Sequence, residues 1–220
     1  ATRRCPRPPR RSSPAMSHSP VSPRGFPGTD KDKKSSDGGS VMDSVFAAAL
    51  VAALGAVLYA AADQAVPALG LPGASDAKPH GSFWEFYEQN YLTDHANPQN
   101  KQMHFAGTGL VILLLAMYPG AALAMASALA LGFGVFPYTR FLPNGAAEAA
   151  AVVSAFVLLS WRTTGKLYVP FLIMLCGYGF AWVGHFFIEG NRPATFIYPS
   201  YSLASDFVML YQFGSSALSL

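Results

Sequence analysis

The stretch LYVPFLIMLCGYGFAWVGHFFIEGNRP, residues 167–193, decides how this chain folds because it joins a long apolar run to a polar end. Residues 167–189 are long enough, at a rise of about 1.5 Å per residue, to cross a hydrocarbon core of about 30 Å. Gly190 is a residue type that commonly ends helices, and Pro193 follows shortly after it. The sequence therefore predicts a membrane-spanning helix over residues 167–189.

Four further apolar segments predict membrane-spanning helices, at residues 44–62, 98–118, 121–136 and 146–161. The composition agrees, since only 12% of the residues are charged, against about 25% in average soluble proteins. The segments at 121–136 and 146–161 are short, so they either tilt within a bundle or span it incompletely. We expect an all-α, multi-pass membrane helical bundle with about five transmembrane helices.

Two other segments predict amphipathic helices at the membrane interface. Residues 83–95 place their aromatic side chains near one helical face, a pattern suited to the depth of the lipid headgroups. These side chains are Phe83, Phe86, Tyr87 and Tyr91. Residues 200–213 alternate apolar and polar side chains and are expected to lie along the surface. A linker rich in Pro and Gly, residues 66–82, precedes a membrane domain predicted at residues 83–215.

The N-terminal part of the chain differs in composition from the rest. Residues 1–40 contain nine Lys or Arg and three Asp, and residues 1–29 also hold seven Pro. This composition is typical of an organelle-targeting remnant or of a basic arm. The remaining residues contain nine acidic and six basic side chains, and they offer no basic surface of the kind that binds nucleic acid. We predict an extra transmembrane helix at residues 41–65. This helix and the basic arm are the parts of the chain that would contact other subunits of a membrane complex.

Two polar stretches contain the histidines that the predicted topology can bring together. His185 and Glu189 are four residues apart and share a helical face. His95 and His104 would face opposite sides of one continuous helix, but the Asn-Pro pair at residues 97–98 favours a helix start between them. Four predicted membrane crossings separate His104 from His185, and an even number returns the chain to the same side. We therefore expect the three histidines and Glu189 to gather at one membrane interface.

Three imidazoles and a carboxylate suit iron, zinc or manganese, and a site with open coordination positions suits catalysis. The alternative interpretation is that each histidine is an ordinary packing residue held by hydrogen bonds. Glu189 could then pair with Arg192, and Asn100 could hydrogen-bond a loop. The residues alone leave both interpretations open.

The two polar stretches resemble the motifs of a known membrane family. HANPQNKQMH, residues 95–104, and WVGHFFIEGNRPA, residues 182–194, are similar in content and spacing to the two motifs of the yeast-type 2-hydroxy fatty acid dioxygenase-like group. RPATFIYPSYSLASDF, residues 192–207, is more similar to the short, bacterial-type members of that group than to the yeast enzyme. One departure is Ala96, since some members carry a second histidine directly after the first.

This resemblance implies a ferrous-iron enzyme of the endoplasmic reticulum membrane that oxidises 2-hydroxy fatty acids and shortens them by one carbon. The metal ligands that it implies are His95, His104 and His185. The residues that would contact those ligands or the substrate are Asn100, Glu189 and Arg192.

The sequence is also compatible with a function other than that of an enzyme. The chain could be a non-catalytic accessory subunit of a larger organellar membrane complex, respiratory or photosynthetic. The basic arm, the extra helix at residues 44–62 and the Ala96 departure favour this alternative. A targeting remnant would then place the protein in a plastid or mitochondrial membrane instead of the endoplasmic reticulum.

Overall fold

The structure is a computed structural model that describes the backbone of residues 31–218 and the side chains of residues 41–213. Most of the predicted basic arm, residues 1–30, therefore lies outside the described residues. Every regular element in the described part of the chain is helical. The prediction of an all-α membrane bundle is confirmed.

The helices follow one another with short connections. The α-helices of the described residues are α1 (Lys31–Ala68), α2 (Phe83–Phe86), α3 (Leu92–Asp94), α4 (Pro98–Met117), α5 (Pro119–Thr139), α6 (Ala146–Thr164), α7 (Tyr168–Val183) and α8 (Pro199–Leu218). Two π-helical turns, Tyr87–Tyr91 and Gly184–Glu189, continue α2 and α7, and a 3-10 turn, Ala194–Phe196, precedes α8.

Four helices in the described range are long and apolar enough to cross a membrane. Their spans are Val41–Ala68, Pro119–Thr139, Ala146–Thr164 and Tyr168–Glu189. The predicted fifth span, which corresponds to α4, does not qualify because polar side chains fill its first turns. These side chains are Gln99, Asn100, Lys101, Gln102 and His104. Helix α4 still packs along α7 inside the bundle.

The first helix is longer than the sequence predicts. Residues 31–40, which we assigned to the basic arm, form the beginning of α1, and the helix ends only at Ala68, inside the predicted linker. The physical reason is that no proline interrupts the chain between Pro27 and Pro67. Helices α5 and α6 also end later than predicted, so both qualify as full spans.

Helices α1 and α5 approach each other closely through small residues. A Cβ atom added to Gly55 would overlap the backbone carbonyl of Ala130, and one added to Gly134 would overlap the carbonyl of Gly55. Small residues of this kind let helix backbones come into direct contact in a membrane. The extra helix is therefore packed into the bundle of its own chain.

An aromatic core holds the short helices against α5 and α8. Phe86, Tyr87 and Tyr91 are almost completely buried, and they pack with Phe136 and Tyr201. Amphipathicity predicts which face of a helix is apolar but not what covers it, and here protein covers the face that we expected at the lipid headgroups. Helix α8 also differs from its prediction, since its Tyr201, Ser205 and Met209 are buried. The expectation that residues 200–213 lie along the surface was wrong.

Candidate metal centre

Three segments from different parts of the chain meet at one end of the bundle. His95 follows α3, and His104 lies in the second turn of α4. The break between them forms as predicted, because Asn97 caps α4 by accepting the Gln99 N–H at 2.9 Å and Pro98 is the first helical residue. His185 belongs to the π-helical turn at the end of α7.

The three predicted ligand residues form a compact buried cluster. One ring nitrogen from each of His95, His104 and His185 lies within 4.8 Å of the others. The centroids of the three rings are 4.4, 4.7 and 5.1 Å apart. Their exposed fractions are 0%, 4% and 2%. The structure thus brings together the histidines that the sequence places in distant segments, and these three residues could bind a metal ion.

The π-helical turn Gly184–Glu189 sets the position of His185. A π turn has a wider backbone spacing than an α-helix and is frequent at functional sites. It ends at Gly190, whose φ of 75° is left-handed and whose N–H donates to the His185 carbonyl at 2.8 Å. Gly184 has no room for a side chain, because an added Cβ would overlap Oδ1 of Asn100. Helix α4 therefore contacts the backbone next to His185 directly.

Each imidazole is oriented by an acceptor on its Nδ1 atom. His95 donates to the Tyr91 carbonyl at 2.6 Å, and His104 donates to Oδ1 of Asp206 at 2.7 Å. Asp206 also accepts the hydroxyl hydrogen of Tyr91. Partners of this kind fix the tautomer of a metal-binding histidine and increase its basicity.

His185 is oriented by Asn191 in the same way. Its Nδ1 atom lies 2.7 Å from Oδ1 of Asn191, while Nδ2 of Asn191 donates to the Asp94 carbonyl at 3.0 Å. Because the amide nitrogen already has an acceptor, the amide oxygen must face the imidazole. His185 therefore also carries its hydrogen on Nδ1.

The donor set fits a metal cation. When the three rings are neutral with their hydrogens on Nδ1, every Nε2 atom carries a lone pair, and the Nε2 atoms of His95 and His104 are only 3.1 Å apart. Two lone pairs at that distance repel each other unless a cation, either a proton or a metal ion, lies beside them. Burial, together with the neighbouring His104, lowers the pKa of His95 to about 3, so this imidazole is neutral near pH 7. Neutral buried imidazoles are ligands suited to iron and zinc.

The structure places Glu189 beside the cluster rather than in it. Both carboxylate oxygens of Glu189 accept the backbone N–H of Asn97, at 3.1 and 3.2 Å. This contact ties the end of the π-helical turn to the N-cap residue of α4. In the part of the chain that the structure describes, Glu189 forms no ion pair with Arg192.

Asn100 is completely buried one helical turn before His104. Neither its amide nitrogen nor its amide oxygen has a hydrogen-bond partner among the described residues. Buried polar atoms are nearly always paired, so an unpaired carboxamide at this position suggests a ligand group that completes its hydrogen bonds.

Arg192 is exposed and lies at a groove beside the cluster. The groove is also lined by Trp182 and Phe186, which flank His185 in the sequence.

Three residues around the cluster were missed by the sequence analysis: Tyr91, Asn191 and Asp206. A signal for Asp206 was present, because it is the only charged residue after Arg192 and a lone acid in an apolar helix usually has a partner. Asn191 lies between Gly190 and Pro193 and was interpreted only as part of the segment that ends the helix. Tyr91 contacts His95 through its backbone carbonyl, and a sequence carries no signal for a contact of that kind.

One of the comparisons with known proteins identifies a family. A family model described as "2-hydroxy-palmitic acid dioxygenase Mpo1-like" matches residues 80–218. The chain belongs to this family. The Mpo1-like match includes both histidine stretches and Asp206, and it leaves α1 outside. Searches of curated proteins and of solved structures found no match. The resemblance inferred from the two motifs is thereby confirmed.

Proposed function

We propose that this membrane protein is an iron-dependent dioxygenase that oxidises 2-hydroxy fatty acids and shortens them by one carbon. The observation that supports it most directly is the set of three buried imidazoles, one ring nitrogen of each lying within 4.8 Å of the others. The family description supports the substrate class and the type of reaction.

The metal would be held by His95, His104 and His185, and Fe(II) is the ion that the dioxygenase family suggests. Bound there, ferrous iron would supply open coordination positions for dioxygen and for the oxygens of the substrate. Zinc and manganese are the alternative ions.

The surrounding residues have separate roles in this proposal. The Tyr91 carbonyl, Asp206 and Asn191 hold the imidazole rings in place. Asn100 offers its unpaired carboxamide to a hydroxyl or carboxylate oxygen of the substrate. Arg192 supplies a positive charge for the carboxylate.

The overall reaction balances with dioxygen as the oxidant. The C1–C2 bond of the 2-hydroxy acid breaks, C2 becomes the carboxyl carbon of the shortened acid, and C1 leaves as carbon dioxide. Dioxygen takes up four electrons and water is the remaining product. Burial of the site keeps bulk water away from the reacting atoms.

The proposal is tested with protein purified in detergent. The protein is loaded with Fe(II), supplied with 2-hydroxypalmitate and oxygen, and assayed by mass spectrometry for the acid that is one carbon shorter. His104→Ala should abolish both metal binding and product. His80→Ala is the matched control, because His80 lies in the linker and outside the histidine cluster. Wild-type protein that binds no metal and forms no shortened acid would contradict the proposal.

The family match gives no support to the accessory-subunit alternative. The cellular location is a separate proposal: the family resemblance favours the endoplasmic reticulum, whereas a targeting remnant would favour a plastid or mitochondrion. Microscopy of a tagged full-length protein, compared with markers of each membrane, separates the two.

A further inference from the structure

An outer groove opens on the side of the bundle between α6 and α7. It has a volume of about 750 Å³ and is lined mainly by apolar side chains, among them Val153, Tyr178, Trp182 and Phe186. Trp182 and Phe186 are 43% and 47% exposed. Because α6 and α7 both belong to candidate membrane spans, a groove between them faces the lipid hydrocarbon.

An inner cavity lies directly behind this groove. It has a volume of about 50 Å³, and Phe156 and Ile173 belong to its apolar wall. Val153, Tyr178 and Thr195 line both spaces. A single layer of side chains therefore separates the lipid-facing groove from a cavity in the centre of the bundle. Most of the residues that line the cavity are apolar, so it suits an apolar group such as the end of an acyl chain.

The inner cavity also reaches the metal centre. Asp206, which accepts the Nδ1 hydrogen of His104, is one of its lining residues. At the other end, the outer groove passes the turn that carries His185, because Trp182 and Phe186 line it. The two spaces together run beside two of the three histidines.

The charges along this path favour one orientation of a fatty acid. Arg192 is the charged residue of the outer groove, and it makes no ion pair among the described residues. Asp206 is the charged residue of the inner cavity. A carboxylate is attracted by Arg192 and repelled by Asp206, so the carboxylate belongs at the groove and the methyl end belongs in the cavity.

We infer that the groove and the cavity form one lateral channel, open to the bilayer, that binds a fatty acid with its carboxylate end at Arg192, beside the turn that carries His185, and its methyl end in the inner cavity. Val153 and Tyr178 form the constriction, and Arg192 holds the carboxylate at the groove. The inference rests on the proposed function in one respect, namely that the ligand is a fatty acid. With a volume of about 50 Å³, the cavity accommodates only the end of the chain, so its size limits chain length.

The first test measures binding without turnover. A saturated fatty acid that lacks the 2-hydroxyl and carries a diazirine at its methyl end is photolysed with the full-length protein in detergent, and the labelled peptides are sequenced by mass spectrometry. We expect label on residues of the inner cavity, such as Phe156, Ile173 and Leu203. Label confined to the exposed face of α1, or spread evenly over lipid-facing residues, would overturn the inference.

The second test narrows the constriction. Val153→Phe should lower labelling of the cavity and shift turnover towards shorter acids, by at least roughly tenfold in relative kcat/KM, the effect of about one methylene in a hydrophobic pocket. The matched control is Leu158→Phe on the exposed side of the same helix, which should leave both readouts unchanged. Equal effects of the two substitutions would contradict a channel between α6 and α7.

The third test examines the charge at the groove. Arg192→Gln should weaken competition by a fatty acid for the cavity label and leave competition by the corresponding fatty alcohol unchanged. Equal loss for both competitors would refute the assigned orientation. The channel and the proposed reaction can be refuted separately. Labelling of the cavity without any chain shortening contradicts the reaction alone. Chain shortening whose rate and chain-length preference are unchanged in Val153→Phe contradicts the channel alone.

Discussion

Asp206 provides the sharpest test of the metal centre, because it contacts a predicted ligand without being one. Its Oδ1 atom accepts hydrogens from His104 and from the Tyr91 hydroxyl. Asp206→Asn keeps an acceptor oxygen and removes the charge. A hydrogen bond to a charged group contributes about 1.5–3 kcal/mol and a neutral one about 0.5–1.5 kcal/mol. Asp206→Asn should therefore weaken the hydrogen bond to His104 by about 1–1.5 kcal/mol, which corresponds to roughly tenfold weaker metal binding.

Asp206→Ala removes the acceptor altogether. The Nδ1 hydrogen of His104 and the Tyr91 hydroxyl then lose their partner in a buried site, at about 1–3 kcal/mol for each group. We expect metal affinity to fall about 10–100-fold and thermal stability to fall with it. Metal affinity is measured by competition with a chelator, and folding is followed by circular dichroism. Asp76→Asn, an exposed acid in the linker, is the control. Metal affinities of both Asp206 variants equal to that of the wild type would refute the orienting role.

Three further predictions concern packing and pH. Gly184→Ala should lower the free energy of unfolding by about 1–3 kcal/mol and weaken metal binding, because the added Cβ overlaps Asn100. The control is Gly179→Ala, whose added Cβ has its nearest contact at an ordinary 3.8 Å. Equal melting temperatures of the two variants would contradict this packing. Gly55→Ala should separate α1 from α5 and lower the melting temperature, while metal binding is kept. Gly109→Ala, whose added Cβ meets open space, should leave the melting temperature unchanged. The third concerns the metal-free protein, in which the pKa of His95 at about 3 is below the unfolded value of about 6.5. The unfolded state then binds the extra proton, so the free energy of unfolding falls as pH decreases from about 6.5 towards about 3. Urea titrations at about pH 7 and about pH 5 should show a smaller fall for His95→Gln.

The meeting of the histidines was predictable because it depends on helix periodicity and on the number of helices in the bundle, in which α4 packs along α7 although it does not qualify as a membrane span. A separation of four positions places His185 and Glu189 on a shared helical face, and an even count of helices returns the chain to the same end. The role of Glu189 was harder to predict, since its partner is the backbone N–H of Asn97, 92 residues away in the sequence.

The orienting contacts could not be predicted because they depend on how α8 packs. Asp206 reaches His104 across 102 residues of sequence, and only the burial of Tyr201 and Met209 fixes which face of α8 points inward. The aromatic face of residues 83–95 shows the same limit. Its apolar character was evident from the sequence, but whether lipid or protein covers such a face depends on distant segments.

The close contact between α1 and α5 has a consequence for any shortened form of the protein. The residues that match the family begin at 80, after α1 has ended. A form starting there would expose the backbone of α5 along Ala130 and Gly134. Lipid tails would pack poorly into the narrow space that Gly55 of α1 occupies in the full chain. We expect such a form to associate with itself through this exposed backbone, so that gel filtration would report a dimer produced by the truncation and not by the native chain.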